Sequence, residues 1–263
     1  MAAVDGHDVY SHALSDECEP STGDDVGFVL LHGAMLGRWI WERVERRLAR
    51  PTLAVDLPGR GNRPVDVTTV TLGDVIDSVI ADIDAWPTDR FVVVAHSLSG
   101  IVVPSLITRF PRRVAHAVFV SAAVPEPHTS YLDALPLMQR ISLRFVLLTQ
   151  RKGLLSPAWA TRRALCNDLD EPTTQLVVDN ITREAPGIYS EPVPGQIPAS
   201  QPTMYVKLMS DRAFSPALQD RMISRLPDSL VEEIDAGHLP MLGHPEEVAA
   251  ILNVVIERTR GDG

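Results

Sequence analysis

The feature that most restricts how this chain can fold is a set of short, unbroken apolar runs, each closed by turn signals. "VGFVLLH" (26–32) and "FVVVA" (91–95) are the clearest. Both are short for a helix and too uniformly apolar for a strand with one wet face, so they read as strands covered on both sides. "TLAVDL" (52–57), "VAHAVFVSA" (114–122), "TMYVKLMS" (203–210) and "LVEEID" (230–235) add further strands. Helical spacing fills the intervals. "WIWERVERRLA" (39–49) stops at Pro51, residues 98–110 read as a helix, and 71–86 carries Leu72, Val75, Ile76, Val79, Ile80 and Ile83 on one stripe. Val248, Ile251, Leu252 and Val255 mark a last amphipathic helix. The alternation predicts an α/β fold: a mostly parallel central sheet with helices on both faces.

Two segments break this rhythm. Residues 1–25 are polar, acidic and unpatterned, which predicts a mobile N-terminal tail. Residues 124–200 are punctuated by proline from Pro125 to Pro198, with helical pieces between. That excursion is too long for a crossover between neighbouring strands, so it is expected to be a helical cap inserted between core segments 26–123 and 201–263.

Composition removes several function classes. A net charge of −10 argues against nucleic acid and anionic membrane surfaces as partners. No apolar stretch is long enough to span a bilayer, and the N-terminus lacks the pattern of a secretory signal. Cys18 and Cys166 lie far apart, which does not make a disulfide framework. A cytoplasmic protein is expected, and nothing in the sequence opposes a homodimer. No His/Cys cluster has metal-ligand spacing, and "PGRGNR" (58–63) lacks the spacing of a phosphate loop, so neither metal nor cofactor is expected.

The chemistry concentrates where the "FVVVA" strand meets "HSLSG". In parallel sheets, reactive groups gather at the carboxyl ends of strands. A sharp strand–turn–helix places its central residue in a strained conformation and presses together the residues two before and two after it. With Ser97 at the centre those flanks are Ala95 and Ser99, both small. With Ser99 at the centre one flank becomes Ile101, which is bulky. Ser97 is therefore the candidate nucleophile and Ser99 a spacer. Pro104, inside the helix expected over 98–110, predicts a kink there.

A serine needs a base, and the base needs a carboxylate to set its tautomer. Of eight histidines, His238 in "DAGHLPMLGHPEEV" follows the final strand at the same sheet edge. Asp211 follows the "TMYVKLMS" strand, with Asp235 and Glu126 as alternative acids. The order Ser97, Asp211, His238 suits a nucleophile carried on such a turn. Backbone N–H groups of Leu98, at a helix start, and Ala34, in the loop after the first strand, are the expected oxyanion donors.

Taken together, "LLHGAMLGRWIWERV", "LAVDLPGRG", "AHSLSG", "MSD" and "AGHLPMLGHPEEV" resemble the α/β-hydrolase family from residue 26 to the end, and the nearby Trp39 and Trp41 are similar to its esterase, methylesterase and hydroxynitrile lyase branch. The resemblance implies a triad of Ser97, Asp211 and His238 with donors at Ala34 and Leu98. Hydroxynitrile lyases of this branch carry lysine after the catalytic histidine and threonine after the first-strand histidine. Leu239 and Gly33 stand there instead, which speaks against cyanohydrin cleavage. The implied activity is serine-dependent cleavage of an ester, thioester or lactone of a small to medium hydrophobic substrate. Met35, Leu36, Tyr131, Leu135, Met138, Trp159 and Met241 are candidate chamber walls, with ordinary core packing as the alternative for each. A triad-bearing cyclase, lyase or acyl transferase of a natural-product pathway stays open, as does a non-catalytic ligand receptor.

Overall fold

The computed structural model describes residues 26–261, so the expectation for the tail over 1–25 lies outside the described residues. Among them, six strands form one parallel sheet: β1 (Val26–Leu31), β2 (Thr52–Val55), β3 (Arg90–His96), β4 (Val114–Val120), β5 (Thr203–Leu208) and β6 (Leu230–Ile234), in the order β2-β1-β3-β4-β5-β6. Every residue of β1 and β4 is buried. Alternate side chains feed two separate cores. Val29, Leu31, Phe91, Val93 and Ala95 point to one face, and Val26, Phe28, Leu30, Val92 and Val94 to the other. That two-sided burial is why these runs lack polar alternation.

Helices α1 (Glu42–Glu45), α2 (Leu72–Ala85) and α3 (Val103–Arg109) occupy the first half. Thr71 starts α2 by a reciprocal exchange with Asp74: its hydroxyl accepts the Asp74 N–H at 3.1 Å, and the Asp74 carboxylate accepts the Thr71 N–H at 2.9 Å. Leu72, Val75, Ile76, Val79 and Ile83 are then buried against the sheet. The helix expected over 39–49 is shorter, a 3-10 turn (Arg38–Trp41) followed by α1. Nor is the helix expected over 98–110 continuous. A 3-10 turn runs from Ser97 to Ile101, and α3 begins anew at Val103 with Pro104 in its first turn. There a missing N–H leaves no bond unmade, so the proline fits without a penalty.

Between β4 and β5 the chain leaves the sheet for α4 (Tyr131–Ala134), α5 (Leu137–Thr149), α6 (Ala158–Leu165) and α7 (Glu171–Asn180). We term residues 124–200 the cap. Residues Leu154 and Glu184 form an antiparallel bridge within it. Leu143, Val146 and Leu147 of α5 pack on the core, whereas Leu137, Ile141, Phe145 and Leu148 are exposed. The chain finishes with α8 (Pro216–Ile223), α9 (Pro240–Gly243) and α10 (Pro245–Gly261). Among the described residues, no helix is long and apolar enough to cross a membrane.

Strand order positions the site. β1 lies between β2 and β3, so the chain leaves the carboxyl end of β1 toward one edge of the sheet and that of β3 toward the other. Leu31 pairs with Ala95 at these ends, and the diverging loops open a crevice directly above them. The turn after β3 is packed so closely that a Cβ on Gly100 would lie 2.1 Å from the Ala123 carbonyl oxygen. Gly100→Ala is therefore expected to cost about 2–3 kcal/mol of stability, the scale of forced overpacking. Urea unfolding of the variant measures this, and an unchanged midpoint would contradict the packing.

Candidate active site

Ser97 follows the last residue of β3 with φ +56°, a left-handed conformation that is unfavourable for any residue with a Cβ. Three contacts hold it there. The Ser97 carbonyl accepts the Ala123 N–H at 2.9 Å. The Ser99 hydroxyl lies 2.9 Å from the His96 carbonyl and 3.2 Å from that of Leu31, so it ties the turn to β1. Gly100 then lets the backbone press onto Ala123. Ser99 is thus a structural cross-link rather than only a spacer.

His238 lies in the loop after β6, and its Nε2 is 3.0 Å from Ser97 Oγ. Its Nδ1 lies 2.7 Å from Asp211 Oδ2. Asp211, in the loop after β5, is buried and fully engaged. Its Oδ1 accepts the N–H groups of Ala213 and Phe214, each at 2.8 Å, while Oδ2 also accepts the Ser121 hydroxyl at 2.7 Å. Burial alone would raise this carboxyl's pKa. The adjacent His238 and the hydrogen bonds from His238, Phe214 and Ser121 outweigh that effect and hold it below the usual value. An ionised Asp211 accepts only, so Nδ1 of His238 carries the proton and Nε2 presents a lone pair to the serine. The alternative acids sit elsewhere: Asp235 is exposed and accepts from Ser210, and Glu126 is exposed beside Arg225.

Two more histidines frame the site. His96 Nε2 donates to the His238 carbonyl at 2.8 Å and so fixes the loop that bears the base. Burial, followed by the neighbouring His238 ring, holds His96 well below the usual histidine value and neutral. His32 accepts the Leu57 N–H at Nε2 (3.2 Å) and donates from Nδ1 to the Gly33 carbonyl (2.8 Å). Its pKa falls to about 3 through burial and then the nearby Arg60.

The loop after β1 comes close to the serine. A Cβ on Gly33 would lie 2.8 Å from Ser97 Cβ, so glycine permits the approach. Ala34 and Leu98 border one small cavity with His32, Gly33, Leu72 and Ile188. Ala34 N–H donates to no protein acceptor among the described residues, and Leu98 N–H sits in the first turn of the 3-10 helix, where such groups have no intrahelical acceptor. Backbone donors of this kind, bordering one cavity on two segments that meet at Ser97, are the type of group that stabilises a developing oxyanion.

The expected chamber walls separate into groups. Tyr131, Leu135 and Met138 line an open groove with Phe214 and Leu218, and the Tyr131 ring meets Tyr189 edge-on with centroids 5.4 Å apart. Met138, 71% exposed, is a rim residue and not an enclosed wall. Met35 belongs to the loop bearing Ala34. Three expectations require correction. Leu36 and Met241 are buried in the core on one sheet face, and Trp159 is 71% exposed on the outside of α6. Hydrophobic character identified these residues, but it does not say whether a side chain turns toward a chamber, a core or solvent. Nothing in the sequence marks Ser121, His96 and Glu184 as supports, because their partners are distant in sequence.

Since the folded pKa of Asp211 lies below its unfolded value, the ionised carboxylate contributes stability above the unfolded pKa and loses it as pH falls through the folded one. Ser121→Ala removes a donor and narrows that gap. The variant is expected to melt below the parent at pH 7, with the difference shrinking below pH 4. Melting curves across pH 3–8 test this, and a pH-independent difference would show that Ser121 acts only through packing.

Comparison with known proteins agrees with this fold. The alpha/beta hydrolase family model matches residues 28–251. Methylesterase 17 of Arabidopsis thaliana is 26% identical over 242 residues, spanning 83% of this chain and 87% of that protein. Esterase PIR7B of Oryza sativa subsp. japonica is 28% identical over 271 residues, spanning 89% and 97%. Among solved structures, an extracellular alpha/beta-hydrolase from a Paenibacillus species has a TM-score of 0.79 at 19% identity, covering 88% of this chain and 98% of that one. With a family match over most of its length, this chain belongs to the alpha/beta hydrolase family.

Proposed function

We propose that this protein is a carboxylic ester hydrolase that acts through an acyl-enzyme on Ser97. The observation that carries the reading is the continuous hydrogen-bonded chain from Ser97 Oγ through His238 to Asp211 at 3.0 and 2.7 Å. The names of its curated relatives, methylesterase and esterase, support the ester as the bond cleaved.

His238 Nε2 takes the Ser97 proton as Oγ attacks the ester carbonyl. The carbonyl oxygen becomes an anion held by the N–H groups of Ala34 and Leu98, each such donor typically being worth about 3 kcal/mol in the transition state. Asp211 stabilises the imidazolium formed meanwhile. The tetrahedral centre collapses, the alkoxide leaves with the proton from Nε2, and the acyl group stays on Ser97. Water then gives its proton to Nε2 and attacks the acyl carbon, which returns Ser97 and the carboxylic acid. The cavity bordered by Ala34 and Leu98 is very small, and its wall combines Leu72, Val75, Ile101 and Ile188 with His32 and Glu184, which limits one side of the ester to a small group. The groove along Tyr131 and Leu135 suits a larger hydrophobic remainder.

One comparison favours a second reading. Norfluorocurarine synthase 2 of Strychnos nux-vomica is 25% identical over 88% of this chain. A protein with that name keeps open a triad used without net hydrolysis. Product analysis in H2(18)O separates the two: a carboxylic acid that gains one 18O supports hydrolysis, and a product without 18O supports chemistry without net hydrolysis.

Ser97→Ala is expected to abolish hydrolysis of a p-nitrophenyl ester and labelling by a fluorophosphonate while leaving the melting temperature within a few degrees. Turnover unchanged from the parent would reject the mechanism.

A further inference from the structure

Met35 follows the Ala34 donor and sits at φ +61°, unfavourable for a side chain of its size. The cap holds both of its backbone groups. Its N–H donates to Glu184 Oε2 at 3.0 Å, and its carbonyl accepts the Thr182 N–H at 2.9 Å. Its sulfur lies 3.3 Å from the Ser156 nitrogen. Glu184 is itself 2% exposed and pairs with Arg60, which is equally buried. Its other oxygen accepts the Ala185 N–H at 3.0 Å. Arg60 in turn donates from Nε to the Leu36 carbonyl at 3.2 Å and from Nη1 to that of Pro58 at 2.8 Å. The two residues after Ala34 are therefore clamped from outside the sheet by one buried acid–base pair.

Glu184 does not move independently of the cap. Its backbone exchanges two hydrogen bonds with Leu154, at 2.8 and 2.9 Å. A cap shifted away from β1 would withdraw the acceptor for Met35 N–H and the donor for its carbonyl together. Met35 would then be free to leave its left-handed conformation, which releases the Ala34–Met35 peptide and, through the dihedrals of Ala34, the Gly33–Ala34 peptide that carries the Ala34 N–H. Buried charge pairs give little net stability, so the clearest effect of this pair is the position it gives Met35 and Leu36.

We infer that Glu184 is a positioning residue: seating of the cap against Met35 sets the direction of the Ala34 N–H, so that cap docking and completion of the oxyanion hole are one event. This rests on the esterase reading of Ser97. Glu184 touches neither nucleophile nor base, and its effect falls on the step in which the oxyanion forms.

Removing Glu184 alone strands Arg60, so the test uses two variants without the charge. In Arg60→Met/Glu184→Gln, the amide oxygen can still accept from Met35. In Arg60→Met/Glu184→Met, no acceptor remains. Each is expected to fold, since hydrophobic replacement of a buried ion pair is tolerated. The second is expected to show a kcat roughly 10- to 100-fold below the first with KM within about twofold, the pattern of a weakened oxyanion donor. Inhibition by a trifluoromethyl ketone, whose adduct carries the oxyanion, is expected to weaken by the same factor. Equal kcat in the two doubles, or a loss confined to KM, overturns the inference. Should either double fail to fold, Thr182→Pro removes the N–H given to the Met35 carbonyl while leaving Glu184 and Arg60 in place. There too a kcat-selective loss supports the clamp and an unchanged kcat refutes it. Activity surviving in Ser97→Ala would sink the esterase reading, whereas an inactive Ser97→Ala with equal doubles would sink only the role of Glu184.

Discussion

The left-handed turn at Ser97 is the constraint on which the site depends. A serine at φ +56° is held against its own preference by hydrogen bonds and by close packing, and the result is a hydroxyl lifted from the end of β3 into the crevice. Glycines would make such a turn easy, yet Ala95 and Ser99 flank it here. Ser99 compensates with a hydroxyl bound to the His96 and Leu31 carbonyls, and the requirement for a missing side chain moves one residue on, to Gly100 against Ala123. The turn is held by cross-links as well as by small residues.

The remaining groups divide by how they carry charge. His32 and His96 are buried and neutral, and each uses both or one of its nitrogens as a rigid link between backbone segments. His238 differs because it stands between a carboxylate with four donors and a serine hydroxyl. Asp211 stays ionised despite burial because those donors replace its lost hydration. A preorganised carboxylate of this kind needs no rearrangement when the imidazolium appears, and that is the electrostatic advantage of burying it.

Much of this was legible in the sequence for an identifiable reason. Strands covered on both faces must be continuously apolar, and the order β2-β1-β3-β4-β5-β6 places the carboxyl ends of β1 and β3 side by side. Residues just after strands, such as Ser97, Asp211 and His238, are therefore brought to one edge by topology alone. Side-chain direction was not legible. Trp159 and Met241 look alike as apolar residues near functional segments, yet one is exposed and the other is buried in the core. Supports that depend on tertiary partners were hidden too. Glu184 lies in the plain stretch "TREAPG", and its partners Met35 and Arg60 are separated from it by most of the cap.

On the inferred role of Glu184, the cap acts on the reaction as well as on binding. Its Ser156 and its 182–184 segment reach the loop that follows β1, and the strained residue they hold directly follows Ala34. Strain at Met35 persists only while partners outside its own loop determine it. A substrate that binds in the groove along α4 and α5 contacts the same insertion that supplies those partners. Binding energy from a remote hydrophobic group can then be expressed at the reacting carbonyl by seating the cap, which raises kcat and not merely affinity. The inferred role of Glu184 thus couples binding along the cap to the rate at the carbonyl through one buried carboxylate.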